Sequence, residues 1–290
     1  MPRGLDHVVH VVRDLEAAGE LYDLLGFTVG TRNRHPWGTH NRLIQIPGFF
    51  VELLEIADAD AIPPHENAHF SFGAFNRDFL AECGPGLSML VFEGHDPAAE
   101  KAEFDAAGFG GFDVFSFERT GRRPDGSDVE VGFSLAFARD PKSPQAGFFT
   151  CTQRRPENFW SPELQRHMNG TVGVAGAVLV SEEPAAHLDF IEAVSGVRLR
   201  RATDGWYVGD TPRGAIDLMN RDIFHTRFGG SPKPAPGLRI AAIRFAVKDI
   251  AVTRKRLASS RMAAEEIEGL IVVGPQAALG ATLVFEPATS

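Results

Sequence analysis

The sequence has few of the features that mark membrane, secreted or redox proteins. None of its 290 residues forms part of an apolar run approaching the roughly 20 residues of a membrane helix, and no basic-then-apolar signal peptide opens the chain. The two cysteines, Cys83 and Cys151, form no CxxC pair and are expected to be free thiols. These absences predict a cytoplasmic protein without a membrane partner.

The chain is also short of positive charge, with 29 basic and 38 acidic side chains and a net charge of −9. Because an acidic surface repels phosphate backbones, nucleic-acid binding would require a concentrated basic patch, and Arg119–Arg123 and Arg198–Arg201 are both short. The glycines at Gly108–Gly111 follow a predicted helix instead of opening one, unlike a phosphate-binding loop. We therefore expect neither a nucleic-acid partner nor a nucleotide cofactor.

What the chain does contain is a repeated pattern of strand, helix and further strands. One predicted helix begins at Asp14 and ends at Gly26, and a second begins at Asp96 and ends at Gly108, an offset of 82 at both ends. Aspartate is a favourable N-cap, and glycine favours helix termination. The equal spacing predicts two related modules.

Two fainter copies follow, with helices predicted over Glu182–Val194 and Asp249–Ser259. A single module is too small to bury a good core, so the modules should pair. The sequence predicts a first pair over residues 1–156, a polar linker over 157–171 and a second, degenerate pair over 172–290. The second pair would serve a structural role or form a homodimer.

The residues that carry a family resemblance are LDHVVHVVRDLEAAGELYDLLGF, RHPWGTHNRLIQI and FFVELLEI. They resemble the opening module of the vicinal oxygen chelate superfamily, and within it the glyoxalase-like domain branch. The resemblance is strong over residues 5–58, fair over 86–153, including the Arg-Pro-Asp-Gly turn at 123–126, and weak after 172. It implies an α+β fold of βαβββ modules, four in two pairs, whose cup-shaped mixed sheets surround a small-molecule pocket. The superfamily includes glyoxalases, epimerases, extradiol dioxygenases and metal-free drug-binding proteins, so the fold alone selects no activity.

Strand alternation places His7 on the face of its strand opposite to His10, and the family register implies that His7 and Glu52 point into the cup. An imidazole and a carboxylate can jointly hold one divalent transition metal, such as Zn, Fe, Mn, Co or Ni. Without a metal, Glu52 would be the general base and His7 would orient it. Both side chains could also simply pack and pair with neighbours, whereas His10 and Glu55 are expected to be structural.

The second module does not repeat this pair. The offset of 82 places Met89 opposite His7, and matching Phe148–Cys151 to Phe49–Glu52 places Cys151 opposite Glu52. A thioether and a thiol would be an unusual addition to a metal site of this superfamily. They would instead contribute polarizable, apolar sulfur groups to the pocket, as a metal-free binding protein requires.

A polar loop and inward aromatic side chains are predicted to surround the substrate. The loop around His35 either forms the rim of the pocket or is a hairpin whose Gly and Asn serve turn geometry. The residues predicted to contact substrate are His35, His40, Asn41, Phe50, Met89, Phe149 and Cys151.

The leading hypothesis is a glyoxalase-like enzyme, metal-assisted or metal-free, that acts on a small oxygenated metabolite. Its chemistry would be proton abstraction beside a carbonyl, isomerisation or lyase activity, with His7 and Glu52 as catalytic residues. The rival hypothesis is a metal-free protein that binds and sequesters a small molecule. Ring-cleaving dioxygenase activity is less favoured, because the sequence does not complete a two-His, one-carboxylate iron triad.

Overall fold

Two eight-stranded mixed sheets form the framework of the protein. The structure is a computed structural model, and it describes residues 1–122 and 126–289. The predicted turn at 123–126 lies outside the described residues except for Gly126. The strands of the first sheet are β1 (Leu5–Val12), β2 (Asn33–Arg34), β3 (Thr39–Ile46), β4 (Phe49–Ile56), β5 (Gly86–Glu93), β6 (Phe115–Arg122), β7 (Asp128–Ala138) and β8 (Gly147–Gln153). Their order is β2-β3-β4-β1-β5-β8-β7-β6.

The second sheet repeats this arrangement. Its strands are β9 (Thr171–Val180), β10 (Arg200–Thr203), β11 (Trp206–Asp210), β12 (Ala215–Met219), β13 (Arg239–Val247), β14 (Glu265–Ile267), β15 (Leu270–Val273) and β16 (Thr282–Pro287). Their order, β10-β11-β12-β9-β13-β16-β15-β14, corresponds strand by strand to that of the first sheet. The predicted α+β fold of paired βαβββ modules with cup-shaped sheets is confirmed.

Short helices connect the strands. They are α1 (Leu15–Leu24), α2 (Phe72–Cys83), α3 (Pro97–Ala106), α4 (Pro156–Phe159), α5 (Leu188–Ser195), α6 (Arg221–Phe228) and α7 (Ile250–Ser259), with 3-10 turns at Ala59–Ala61 and Pro184–His187. The helices α1 and α3 have equal lengths, and each is capped by the predicted aspartate, Asp14 or Asp96, whose carboxylate accepts from two first-turn N–H groups. No helix of the described residues is long and apolar enough to cross a membrane.

One extra residue interrupts each of the two central strands. The antiparallel pairing of β1 with β5 shifts register at Asp6 and again at Ser88, which are 82 positions apart like the helices. His7 and Met89, each following a bulge, are therefore equivalent, as predicted. Because of the bulge, Leu5 packs in the large core of the helix layer, although simple alternation would place it on the face of His7.

That large core joins the two halves. The ring of Phe27 lies 5.0 Å from that of Phe245 and 5.9 Å from that of Phe285, measured between centroids. Near the N-terminus, the Leu5 amide donates to the Arg213 carbonyl oxygen over 3.0 Å. The opposite face of each sheet carries a smaller apolar cluster, and these faces are called the first cup, around Val9, and the second cup, around Val178.

Candidate active site

The first cup holds a cavity that opens to solvent. Its walls are mostly aromatic because inward positions on β4, β6 and β8 carry phenylalanine. They include Trp37, Phe50, Phe72, Phe115, Phe117 and Phe149. An apolar cavity with few polar groups is typical of a small-molecule site.

His7 is fixed in this cavity by a carboxylate and an aromatic ring. Its Nδ1 lies 2.5 Å from Asp6 Oδ1, an approach that the bulge at Asp6 permits between consecutive residues. The His7 ring stacks on Phe50, with centroids 4.2 Å apart, and Asp6 Oδ2 accepts from Gln153 Nε2 over 3.3 Å. Because Nδ1 is engaged by Asp6, Nε2 is the nitrogen available to a ligand.

Glu52 is the buried carboxylate of the cavity and lies on the inward face of β4, as the family resemblance implied. Its Oε1 accepts a hydrogen bond of 2.6 Å from Asn41 Nδ2. Burial raises the pKa of Glu52 above its ordinary value, while His7, the Asn41 hydrogen bond and Arg119 oppose that rise. The carboxylate is thus held by a neutral amide and not by a contact ion pair.

The predicted rim is present at His35 and Asn41, which both line the cavity. His35 Nδ1 lies 2.9 Å from Thr39 Oγ1, and Asn41 Nδ2 lies 3.4 Å from His35 Nε2. The His35 ring stacks on Trp37 with centroids 4.7 Å apart. Burial lowers the pKa of His35 to about 3, so His35 is neutral near pH 7.

Two of the residues predicted to contact substrate lie away from the cavity wall. His40 is on the other face of β3, where its Nδ1 lies 3.4 Å from Glu55 Oε1. Met89 is fully buried, and its sulfur accepts from Asn76 Nδ2 of α2 over 3.6 Å. The structure therefore brings neither His40 nor Met89 to the site, whereas Phe50, Phe149 and Cys151 all line it.

The strand register corrects the alignment of Cys151 with Glu52. Val9 of β1 pairs with Glu52, and its equivalent in β5, Val91, pairs with Phe149. Phe149 is therefore the counterpart of Glu52, and Cys151 lies two residues further along β8. Burial, followed by the charges of nearby carboxylates, raises the pKa of the Cys151 thiol well above its ordinary value.

Arg119 was not predicted as a site residue, because the sequence presented it only as part of a short basic run. It lies on β6 and lines the cavity, and its Nη1 donates to Asn33 Oδ1 over 3.0 Å. Burial lowers the pKa of Arg119, and the charge of Glu52 opposes this. The available signal was alternation, which places Phe115, Phe117 and Arg119 on one face of a strand.

Asp6, His7 and Cys151 form the metal-ligand cluster found among the described residues. They offer one carboxylate oxygen, one ring nitrogen and one sulfur, all within 4.8 Å of one another. Zinc accepts each of these donors, so the chemistry of the cluster fits a divalent transition metal. Glu52, which the sequence paired with His7 as a ligand, does not belong to this cluster.

Solved structures share this fold at low sequence identity. A hypothetical protein from Staphylococcus aureus has a TM-score of 0.68 and 12% identity, over 99% of this chain and 100% of that chain. A mutant of 4-hydroxymandelate synthase from Streptomyces coelicolor has a TM-score of 0.59 and 12% identity, over 100% of this chain and 94% of that chain. A Mn(II)-bound glyoxalase from Novosphingobium aromaticivorans has a TM-score of 0.56 and 13% identity, over 98% of this chain and 82% of that chain.

Sequence comparison gives the family. No curated protein matches the chain significantly. The sequence model of the glyoxalase-like domain matches residues 5–194, which include the first sheet, the linker segment and part of the second half. The chain belongs to the glyoxalase-like domain family.

Proposed function

We propose that the first cup is the active site of an enzyme that removes a proton from a carbon next to a carbonyl group. The substrate is a small oxygenated metabolite, and the reaction is an isomerisation or a lyase reaction. One observation carries this proposal: Glu52 is a buried carboxylate on an aromatic cavity, held by the Asn41 amide instead of a contact ion pair. Such a carboxylate is a better base than one at the surface, because burial disfavours its charged form.

The two inward groups have complementary roles. Glu52 takes the proton from carbon, and negative charge develops on the carbonyl oxygen. Asp6 orients the His7 ring through Nδ1, and a ring that also carries a proton on Nε2 donates it to that oxygen. In an isomerisation of an α-hydroxycarbonyl substrate, the former carbonyl oxygen keeps the proton from His7 and Glu52 returns its proton to the former carbonyl carbon. The hydroxyl group on the first carbon gives its proton back to His7 and becomes the new carbonyl group.

A metal is compatible with this arrangement. His7, together with Asp6 and Cys151, would hold a divalent transition metal. When bound, it would polarise the carbonyl group of the substrate as a Lewis acid. Elemental analysis after metal supplementation and exhaustive buffer exchange tests this part. The metal-assisted version predicts one equivalent of metal in the wild type and none in His7→Ala, and no metal in either protein leaves the acid–base version alone.

Proton exchange tests the role of Glu52 directly. Proton NMR in D₂O follows exchange at the carbon next to the carbonyl across a panel of α-oxoaldehydes and epimerisable acids. We expect Glu52→Gln to slow the exchange by about 100-fold or more, since a positioned base typically contributes this much. The matched control is Glu55→Gln on the same strand, whose carboxylate lies near His40 outside the cavity and which should retain exchange. Equal rates in wild type and Glu52→Gln contradict the proposal.

The aromatic walls favour one alternative, a protein that binds and sequesters a small molecule without turnover. In that case ligands bind to the wild type but are recovered chemically unchanged and without deuterium. In that case neither the wild type nor His7→Ala nor Glu52→Gln turns the ligand over, and the two variants still bind it. The same NMR experiment separates the two functions, because it detects exchange on a bound ligand.

A further inference from the structure

Arg119 lies where two cavities of the first half meet. The aromatic cavity of the first cup and a second, more polar cavity share Leu43, Arg119 and Phe159 as lining residues. The second cavity is lined by side chains such as Asn33 and Gln45. Arg119 is thus a cation at the junction between an aromatic and a polar compartment.

The guanidinium has hydrogen-bonding capacity that the described residues do not use. Its Nη1 is bound to Asn33, but its Nε is buried and has no hydrogen-bond partner. Trp37 Nε1, on the wall of the same cavity, is likewise buried without a partner. Because buried donors are normally paired, two unpaired donors on one cavity point to a ligand that brings acceptor atoms.

The rings around these donors indicate the other part of the ligand. Trp37 lies edge-on to Phe117 and Phe115, with centroids 4.8 and 5.3 Å apart. His7 and Phe50 add a stacked pair on the opposite strands. A planar ring can continue such edge-to-face and stacked contacts, whereas a small polar ligand would leave these walls uncovered.

We propose that the substrate is an aryl-substituted carboxylic acid whose ring lies among the aromatic walls and whose carboxylate pairs with Arg119. The inference rests on the proposed function of the first cup as the active site. Nε and Nη2 form the edge of a guanidinium that binds a carboxylate through two parallel hydrogen bonds. A phosphate dianion fits less well, because it would place a second negative charge near Glu52.

Calorimetric titration with simple probes tests the assignment on the protein as purified. Phenylacetate carries both features, phenylacetamide lacks the charge, acetate lacks the ring, and phenyl phosphate replaces the carboxylate. We expect wild type to bind phenylacetate at least about tenfold more tightly than each of the others, the usual gain from a charge-assisted hydrogen bond.

Variants of Arg119 locate the effect. Arg119→Met should remove the preference for phenylacetate over phenylacetamide, and Arg119→Lys should keep only part of it because the ammonium lacks the planar fork. The control is Arg198→Met, an exposed arginine of the second half, which should bind as wild type does. Thermal unfolding of each variant establishes that it is folded before titration.

Three results overturn the proposal: equal affinity of wild type for phenylacetate and phenylacetamide, tighter binding of phenyl phosphate, or no binding of phenylacetate at about 10 mM. The first comparisons use wild type alone and do not depend on a variant that folds. Failure of the proposed function is distinguishable, since Glu52→Gln would then leave proton exchange unchanged while phenylacetate still bound through Arg119.

Discussion

The two halves of the chain build the same cup, but the first cup lines an aromatic cavity, whereas a helix adds two buried phenylalanine rings to the apolar cluster of the second cup. Glu52 and Asp217 occupy equivalent places, each opposite the third residue after the bulge of a central strand, Val9 or Val178. Glu52 faces the aromatic cavity. Asp217 instead pairs with Arg244, which also binds Glu286 through two hydrogen bonds of 2.8 and 2.9 Å.

The connecting helices account for the rest of the difference. In each half a helix follows the strand that carries the carboxylate, α2 after β4 and α6 after β12. In the second cup, Phe224 and Phe228 of α6 are buried in the apolar cluster. In the first cup, Phe72 of α2 lies on the cavity wall instead. The carboxylate at this strand position is therefore a candidate base in the first cup, where it faces a cavity, and a structural group in the second cup, where Arg244 is its counter-ion.

The largest effect should come from removing the packing of the second cup. Phe224 is 1% exposed, so Phe224→Ala should lower the free energy of unfolding by about 3–5 kcal/mol. Phe117→Ala, on the wall of the first cavity, should cost less than about 2 kcal/mol, because its half-buried ring already borders open space. Urea denaturation measures both. Equal costs would show that the two cups are packed alike.

A second effect concerns the junction behind the first cup. His10 Nε2 lies 2.9 Å from the Leu279 carbonyl oxygen, and burial lowers the pKa of His10 from 6.5 to about 4. As the pH falls through this interval, the unfolded chain gains a proton that the folded chain does not. The group therefore removes about 3 kcal/mol of stability between pH 6.5 and pH 4, and none above that range.

The variant His10→Gln should flatten this part of the stability profile, measured by urea denaturation at several pH values. His225→Gln, which changes an exposed histidine of α6, is the control and should leave the slope as it is in the wild type. An unchanged slope in His10→Gln would mean that other groups cause the acid sensitivity.

The two equivalent carboxylates should respond to neutralisation with opposite signs. Asp217→Asn breaks the ion pair with Arg244 and should lower the free energy of unfolding by about 1–3 kcal/mol without affecting proton exchange. Glu52→Gln removes a buried carboxylate whose pKa is raised by burial, and should increase the free energy of unfolding at pH 7. Chemical denaturation of both variants provides the comparison, and a loss of stability in Glu52→Gln would remove the contrast.

The smallest effects concern the neutral donors. Asn41 donates to Glu52 over 2.6 Å, and Trp206 Nε1 donates to Asp217 over 2.9 Å. Asn41→Ala removes a hydrogen bond that lowers the pKa of Glu52, so the acidic limb of the pH–rate profile should move to higher pH. Trp206→Phe should leave that profile in place and lower the free energy of unfolding by about 1 kcal/mol. A shifted pH–rate profile in Trp206→Phe would contradict this expectation and would show that the second cup influences the pKa of Glu52 in the first.

Local patterns in the sequence were sufficient to predict the framework and part of the site. The aspartate caps and the offset of 82 gave α1 and α3, and alternation along β4, together with the family resemblance, gave the inward position of Glu52. These features depend on residues close together in the chain. Sequence spacing therefore identified them without knowledge of which strands pair.

The remaining site residues depend on contacts that are distant in sequence. Arg119 lines the same cavity as Glu52 only because the first sheet curves and brings its edge strand β6 round to the cup. The match of Cys151 to Glu52 compared residue types, whereas the register between β5 and β8 selects Phe149. Likewise the bulge at Asp6, which provides the partner of His7, is a property of the pairing between β1 and β5.

The bulge at Asp6 also separates two sets of backbone hydrogen bonds along the chain. Residues after Asp6 pair within the first sheet, whereas the residues before it bond to both halves. The Glu93 amide of β5 donates to the Gly4 carbonyl oxygen over 2.8 Å, the Arg3 amide donates to the Ser195 carbonyl oxygen over 2.8 Å, and the Leu5 amide donates to that of Arg213 over 3.0 Å. The N-terminal residues thus hold the second half against the first, and the last of them, Leu5, is two residues before the imidazole of the candidate site. An affinity tag fused directly to Met1 pulls on this anchor, so a spacer before Met1 is the safer design for functional assays.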